Sequence, residues 1–561
     1  MHRWWNRETL VAVALLAAAA FVYFHQLDSP HIPKNGDEYP YTHIVRETSL
    51  SGHLLPLRDQ IGLDNTKPPL LFWQGIASTD WAEQWSMWRL RAPNVVYTLL
   101  IALMINVVVL RLSASRRAAL AAAATYLAFF STYHYGRPFV TDAGLTFWTL
   151  LAMSLFVAPG GFMARPSWMR IAAAGLCLGI AALYKSPAFV VPAVVGIYML
   201  CRLARSAEGP ARTGDEARLV VKLAAMSVLS GLVFSLWFFL DPNPGQVFES
   251  FVLRENLGKF DTEATQPQAV AAKSKAPWGV LFGLVLNAGL LAPVVVALMV
   301  SAVRRRKQAT AVERGLWAAI IVAVLFFMLP STRSGRYLLQ VMPLLAILAG
   351  LAWSHLPTLA FRVSAGLVAI VQLVLLYLGW NWEANFGPEA HLPGVFWMAA
   401  CCGVGLLVAC SLSASTSRPA ALALCLLAYL QFSSVLAPIT SPLGEYSTEV
   451  RRVLEGQHVW VPSNFIAKHE RYRFTLPGCE PVAYDPSAAP WTTNGTAAEA
   501  NRYLVLQPRR DARLPDGSKV LATRLDIATR HTSAEIRQIV FEQRLDLLFQ
   551  REYLLDLGAP R

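Results

Sequence analysis

Asn35-Gly-Asp-Glu-Tyr-Pro-Tyr41, continued beyond Arg58 and Asp59 by Thr66-Lys-Pro-Pro-Leu70, lies between the first two long apolar runs of the chain. The stretch holds the acid pair Asp37 and Glu38, then Arg58, Asp59, Asp64 and Lys67, and it is closed by Pro68 and Pro69. Apolar runs on both sides make it a loop tethered to a bilayer at each end. Ionisable groups near hydrocarbon are costly, so an acid pair and a Lys-Pro-Pro turn held there point to a function for the charge.

Working outward, the whole chain fits that setting. It has 561 residues of which only 15% are charged, and its mean hydropathy is positive. Long runs are almost free of charge, which excludes a large soluble protein and indicates an α-helical polytopic membrane protein. The formal net charge of +13 could suggest a nucleic-acid partner. Most arginines, however, flank apolar runs, where they act as topology signals, and no nucleic acid is expected. Six of the seven cysteines lie in or beside apolar stretches and only Cys479 in a polar region, so neither a disulfide framework nor a zinc spacing follows. The first run ends in Tyr23-Phe-His-Gln-Leu, without a small-residue cleavage site, and is expected to be a retained helix.

Apolar runs begin near Thr9, Ala92, Arg117, Val140, Met169, Ser186, Leu219, Trp278, Gly315, Tyr337, Phe361, Gly394 and Pro419, which predicts about thirteen transmembrane helices. With the amino terminus cytoplasmic, the inner segments collect Arg111, Arg116, Arg117, Arg165, Arg170, Arg202, Arg205 and Arg304 to Lys307, with few acids. Asp28, Asp37, Glu38, Asp59, Asp64, Asp142, Asp241, Glu383 and Glu389 fall on the other side. An odd count puts the tail outside. The reading therefore divides the chain into a transmembrane domain, 1–438, and a soluble extracytoplasmic α/β domain, 439–561. Within the first, 28–91 is an external loop with interfacial helices, where Trp73, Trp81, Trp85 and Trp88 serve as interface anchors more often than as sugar platforms. A second external loop, 241–277, has the composition of a mobile lid. In the tail, His458-Val-Trp-Val-Pro, Pro481-Val-Ala-Tyr and Arg502-Tyr-Leu-Val-Leu read as strands, and 497–501 and 533–550 as helices.

Asp37, Glu38, Arg58, Lys67, Arg137, Asp142, Lys185, Arg333 and Arg336 all end or begin apolar runs on the outer side, and Tyr337 adjoins the last of them. Folding the bundle would gather them into one cavity. Several cations with one carboxylate base suit the displacement of a phosphate leaving group. Each has a plainer reading: Asp37 and Glu38 as helix caps, Lys67 as a snorkelling lysine, Arg336 as a charge at a helix end, and Asp142 as a local partner of Arg137. His25, His31, His43 and His53 show no zinc-ligand spacing. No cofactor is required by the pattern; a divalent cation at Asp37 and Glu38 stays open, although two adjacent carboxylates are an incomplete site.

Gly36-Asp-Glu-Tyr together with Lys67-Pro-Pro-Leu-Leu-Phe-Trp resembles the first external loop of the polytopic glycosyltransferases of the C superfamily (GT-C), in the branch of the protein O-mannosyltransferases and the lipid A aminoarabinose transferases. Arg137 through Leu145, Leu183-Tyr-Lys-Ser-Pro and Arg336-Tyr-Leu-Leu-Gln-Val-Met-Pro resemble later signatures of that branch. The resemblance implies a polyprenyl-phosphate-sugar donor, undecaprenyl in bacteria, and a lipid, glycan or protein acceptor on the outer face of the inner membrane. It further implies Asp37 as general base, with Lys67, Arg58 and Arg336 on the lipid phosphate and Lys185 and Asp142 lining the cavity. Thr66 departs from the aminoarabinose type, which tends to carry an acid there. A transporter or flippase is the alternative, for which internal repeats or broken helices are expected.

Overall fold

The computed structural model describes all residues except 1–6, 33–35, 61–62, 66, 210–213, 257–277, 331–332, 389, 464–466, 487–501, 508–513, 515–516, 529–530 and 559–561. Asn35, Thr66, Glu389, most of the 241–277 loop and the helix expected at 497–501 therefore lie outside the described residues.

The chain enters through α1 (Arg7–Phe24) and runs into the loop that the sequence reading placed outside, 28–91. This is built from α2 (Glu38–Leu50), the antiparallel strands β1 (Leu57–Gln60) and β2 (Leu63–Asn65), and α3 (Leu70–Ser78), which starts directly after Pro69. Then follow α4 (Met87–Ser113), α5 (Arg116–Ala128), α6 (Phe130–Gly136), α7 (Asp142–Ser154), the short ribbon β3 (Val157–Ala158) and β4 (Gly161–Phe162), α8 (Trp168–Tyr184), α9 (Val190–Glu208) and α10 (Asp215–Leu240). Further apolar helices occupy Trp278–Ala288, Ala292–Arg304, Ala311–Met328, Met342–Leu351, Thr358–Trp380, Gly394–Leu412 and Ala414–Val435.

A helix thus stands at every apolar run expected from sequence. Among the described residues, eight helices are long and apolar enough to cross a membrane by length and composition, and three shorter apolar ones accompany them. The shortfall has local causes. Phe129 adopts an extended conformation that separates α5 from α6. The α7 helix has 13 residues, about 20 Å of rise against a hydrocarbon core of about 30 Å. Helix contacts rely on small residues: a Cβ on Gly175 or Gly179 of α8 would run into Met226, Leu229 and Val233 of α10, so these positions let two backbones approach.

In the tail a five-stranded sheet is ordered β6-β5-β7-β9-β8, from β5 (His458–Pro462), β6 (Glu480–Tyr484), β7 (Tyr503–Leu506), β8 (Lys519–Ile527) and β9 (Phe549–Asp556). The β5 strand pairs in parallel with β6 and β7, whereas β9 pairs antiparallel with β7 and β8. The three strands read from sequence are present. The helix expected over 533–550 ends at Phe541, and Gln550 belongs to β9; Gln543 takes a positive φ of 57° that stops the helix.

The tail sits on the external loop. Trp85 stacks on Phe474 with ring centroids 5.7 Å apart and an interplanar angle of 15°. His31 Nδ1 lies 3.4 Å from Asp526, and His43 Nδ1 3.1 Å from Glu470. Of the four tryptophans read as interface anchors, Trp81 and Trp88 are exposed, Trp73 donates its indole N–H to the Leu54 carbonyl at 2.9 Å, and Trp85 packs on the tail.

Candidate active site

Asp142 opens α7, where a carboxylate is favoured by the helix dipole, and it is 3% exposed. Its Oδ1 accepts from Lys185 Nζ at 2.8 Å, and its Oδ2 accepts from both Nε (2.9 Å) and Nη2 (2.6 Å) of Arg336. The third arm of Arg336, Nη1, donates to Asp37 Oδ2. Four residues from four distant parts of the chain are therefore joined, two carboxylates with two cations.

Each is positioned by its own element. Lys185 is the residue that ends α8, immediately after Tyr184, whose hydroxyl is held by Gln74 at 2.9 Å and Tyr97 at 3.0 Å. Arg336 sits in a 3-10 turn, Gly335–Val341, whose cap Ser334 accepts the Arg336 backbone N–H at 3.3 Å. Asn287 fixes the same turn by donating to the Gly335 carbonyl at 2.9 Å, and Gly283 presses against the Gly335 backbone. Asp37 occupies the cap position of α2. Its side chain is 50% exposed while that of Asp142 is 4% exposed, so Asp37 is the carboxylate of the quartet open to an incoming group.

Aromatic faces line the cations. The Arg336 guanidinium carbon lies 5.0 Å from the Tyr135 ring centre, and Lys185 Nζ lies 5.2 Å from Phe189 and 5.9 Å from Tyr337. Tyr337, expected at the site, is thus present there. Tyr135 and Phe189 were not singled out, since aromatic residues are too common in these helices to stand out by spacing.

The remaining expected residues are distributed differently. Glu38 is 1% exposed and forms a two-armed pair with Arg91, Oε1 to Nε and Oε2 to Nη2, both at 2.7 Å. Its Oε1 also accepts the Phe139 backbone N–H at 2.7 Å. Arg91 Nη1 donates to the carbonyls of Leu27, Ser29 and Ile32, so this pair stitches the loop to α4 and to the segment before α7. From sequence Arg91 marks only the end of the loop; an arginine at the start of an apolar run is the one signal there that an acid faces it. Arg137, fully buried, donates to the Tyr133 hydroxyl and the His25 carbonyl, lies over the Tyr133 ring, and is not the partner of Asp142. Arg333 donates from Nε to the Met328 carbonyl at 2.9 Å. Arg58 lies on β1, half-buried, its backbone N–H on Thr48 Oγ1 at 2.9 Å. Lys67 is half-buried just ahead of the Pro pair that opens α3.

Residues 60–243 match the family model described as dolichyl-phosphate-mannose-protein mannosyltransferase. Among solved structures, ArnT from Cupriavidus metallidurans in the apo state is 17% identical, with a TM-score of 0.61 over 99% of this chain and 99% of that one. The same protein bound to undecaprenyl phosphate is 18% identical, with a TM-score of 0.60 over 90% of this chain and 94% of that one. A comparison with curated proteins returned no match. The chain shares its fold with ArnT.

Proposed function

We propose that the chain is a multi-pass membrane glycosyltransferase that moves a sugar from a polyprenyl-phosphate donor to a lipid, glycan or protein acceptor. The observation that carries this reading is the Asp142-centred quartet, in which a half-exposed Asp37 stands beside two aligned cations. The match of 60–243 to the mannosyltransferase family model supports the reaction class, and the ArnT-like fold supports a polyprenyl phosphate such as the undecaprenyl phosphate bound by that protein.

In the proposed step the acceptor hydroxyl or phosphate oxygen attacks the anomeric carbon of the donor. A new C–O bond forms on one face while the bond to the lipid phosphate oxygen breaks on the other, inverting the centre. Where the acceptor is a hydroxyl, Asp37 takes its proton, whereas a phosphate oxygen attacks as the anion with no proton to remove; in both cases the departing phosphate keeps the electron pair of the broken bond. Arg336 and Lys185 neutralise the charge that develops there, aided by Lys67 and Arg58 of the same loop. Asp142 acts as a positioning residue that holds both cations in one geometry before the substrate arrives. Glu38 is assigned to the scaffold, since both its oxygens are engaged by Arg91 and Phe139. The acid pair then offers a cation only Asp37, and this reading routes charge neutralisation through the basic side chains. In the proposed setting, a bacterial inner membrane with a cytoplasmic amino terminus, the site and the tail 439–561 face outward.

Mass spectrometry of envelope lipids and glycans from a strain lacking the gene tests the proposal. One sugar-bearing species should disappear and return with the wild-type chain but not with Asp37→Asn. Unchanged lipids and glycans, or return with Asp37→Asn, would contradict it.

A further inference from the structure

Further along α2 from Asp37, the helix meets the tail. His43 of α2 is 7% exposed and directs Nδ1 to Glu470 Oε2 at 3.1 Å. His469, the neighbour of Glu470 in the 3-10 turn Lys468–Arg471, presents its ring edge-on to His43, with centroids 5.1 Å apart and an interplanar angle of 74°. One donor atom from each of these three residues lies within 4.8 Å of the other two. Donors on a zinc ion, at bonds of about 2.0–2.1 Å, are about 3.3 Å apart in a tetrahedron, so small side-chain rotations would bring these three to a common centre.

Two further observations distinguish this group from an ordinary ion pair. Glu470 is fully buried, yet its Oε1 has no hydrogen-bond partner among the described residues, an expensive arrangement for a carboxylate unless another group completes it. The local charge also leaves room for a cation. The carboxylates of Glu470, Glu47 and Asp59 act on His43, and Glu470, opposed by the guanidinium of Arg473, acts on His469. Arg473 Nε reaches Glu470 Oε2 at 3.4 Å, the oxygen that His43 also faces.

We infer that His43, His469 and Glu470 form a binding site for a divalent transition cation of the zinc type, bridging α2 to the tail. Two imidazoles and one carboxylate are a donor set that suits zinc and leaves a fourth position for water. The bridge spans 427 residues of sequence from His43 to Glu470, so a bound ion would cross-link the external loop to the C-terminal sheet. Because Asp37 caps the same helix, the ion would also fix the helix that presents it. Only this last consequence rests on the proposed role of Asp37; the site itself does not.

The test uses untagged full-length protein in detergent, stripped with a chelator, titrated with zinc and read by metal content and thermal melting. The wild-type chain should retain about one zinc per chain after desalting and melt at a higher temperature with the metal. His469→Ala, a half-buried position with a small packing role, should remain folded and lose both responses. His43→Ala should lose them as well. Equal zinc retention by wild type and His469→Ala, or a wild-type chain that takes up no zinc and only weakens as pH rises, would overturn the site and leave a His43–Glu470 ion pair. No glycosyl transfer is measured, so failure here leaves the transferase reading standing.

Discussion

At the scale of single residues, Asp37 and Asp142 share Arg336 but differ in what their loss should do. Asp142 is buried beneath two cations, and removing one partner of a buried pair costs about 3–5 kcal/mol. Asp142→Asn is therefore expected to lower the melting temperature and the transfer rate together. Asp37 is half exposed, where an ion pair contributes about 0–1 kcal/mol, so Asp37→Asn should leave the melting curve nearly unchanged. Thermal unfolding of both variants checks this; equal destabilisation would remove the distinction between positioning residue and base. Glu38→Gln belongs with Asp142 in stability, because the Arg91 guanidinium would lose its buried counter-charge, again about 3–5 kcal/mol. Its expected signature is low yield of folded protein, with surviving molecules retaining transfer. The sequence singled out Asp37, Asp142, Lys185 and Arg336 because they punctuate apolar runs, but with them Glu38 and Arg137, which the structure engages elsewhere. It could not separate Asp37 from Glu38. Neighbours on a helix point about 100° apart, and which one faces inward depends on how α2 docks.

At the scale of elements, Gly144 carries the geometry of the site. It lies two residues beyond Asp142, and a Cβ there would overlap the Tyr184 ring, which cannot swing away because Gln74 and Tyr97 hold its hydroxyl. Gly144→Ala should push α7 from α8 and so part Asp142 from Lys185, the residue after Tyr184. The expected cost is about 1–3 kcal/mol, with a drop in the transfer rate larger than the loss of folded protein accounts for. A variant with wild-type melting and rate would refute this packing argument. Helix positions were legible from hydropathy because burial in lipid demands it. The break at Phe129 and the 3-10 turn at Gly335–Val341 were not, since apolar composition alone does not record local backbone geometry. In the tail, β8 is one of the two outer strands of the sheet and buries few of its side chains, so its pattern is weak. The stop at Gln543 rests on a positive φ at a residue type that gives no such signal.

At the scale of the whole molecule, the tail and the external loop must lie on one side, because His31–Asp526, His43–Glu470 and Trp85–Phe474 join them. The proposed orientation puts the basic turn after Ala292–Arg304 on the other side. Membrane-impermeant maleimide in spheroplasts should label a Glu449→Cys variant of the tail at once and an Arg306→Cys variant only after permeabilisation. The native Cys479 thiol, pushed up to about 11 by burial, should stay unlabelled until the protein is denatured. Labelling of both engineered positions from outside would contradict the topology. The most direct test of the account is transfer by purified protein supplied with a polyprenyl-phosphate-linked sugar and an envelope lipid extract, with the released polyprenyl phosphate quantified. Release should depend on the extract and fall by about 10²–10⁴-fold in Asp37→Asn, with the variant still folded. Release at the wild-type rate by folded Asp37→Asn would contradict it.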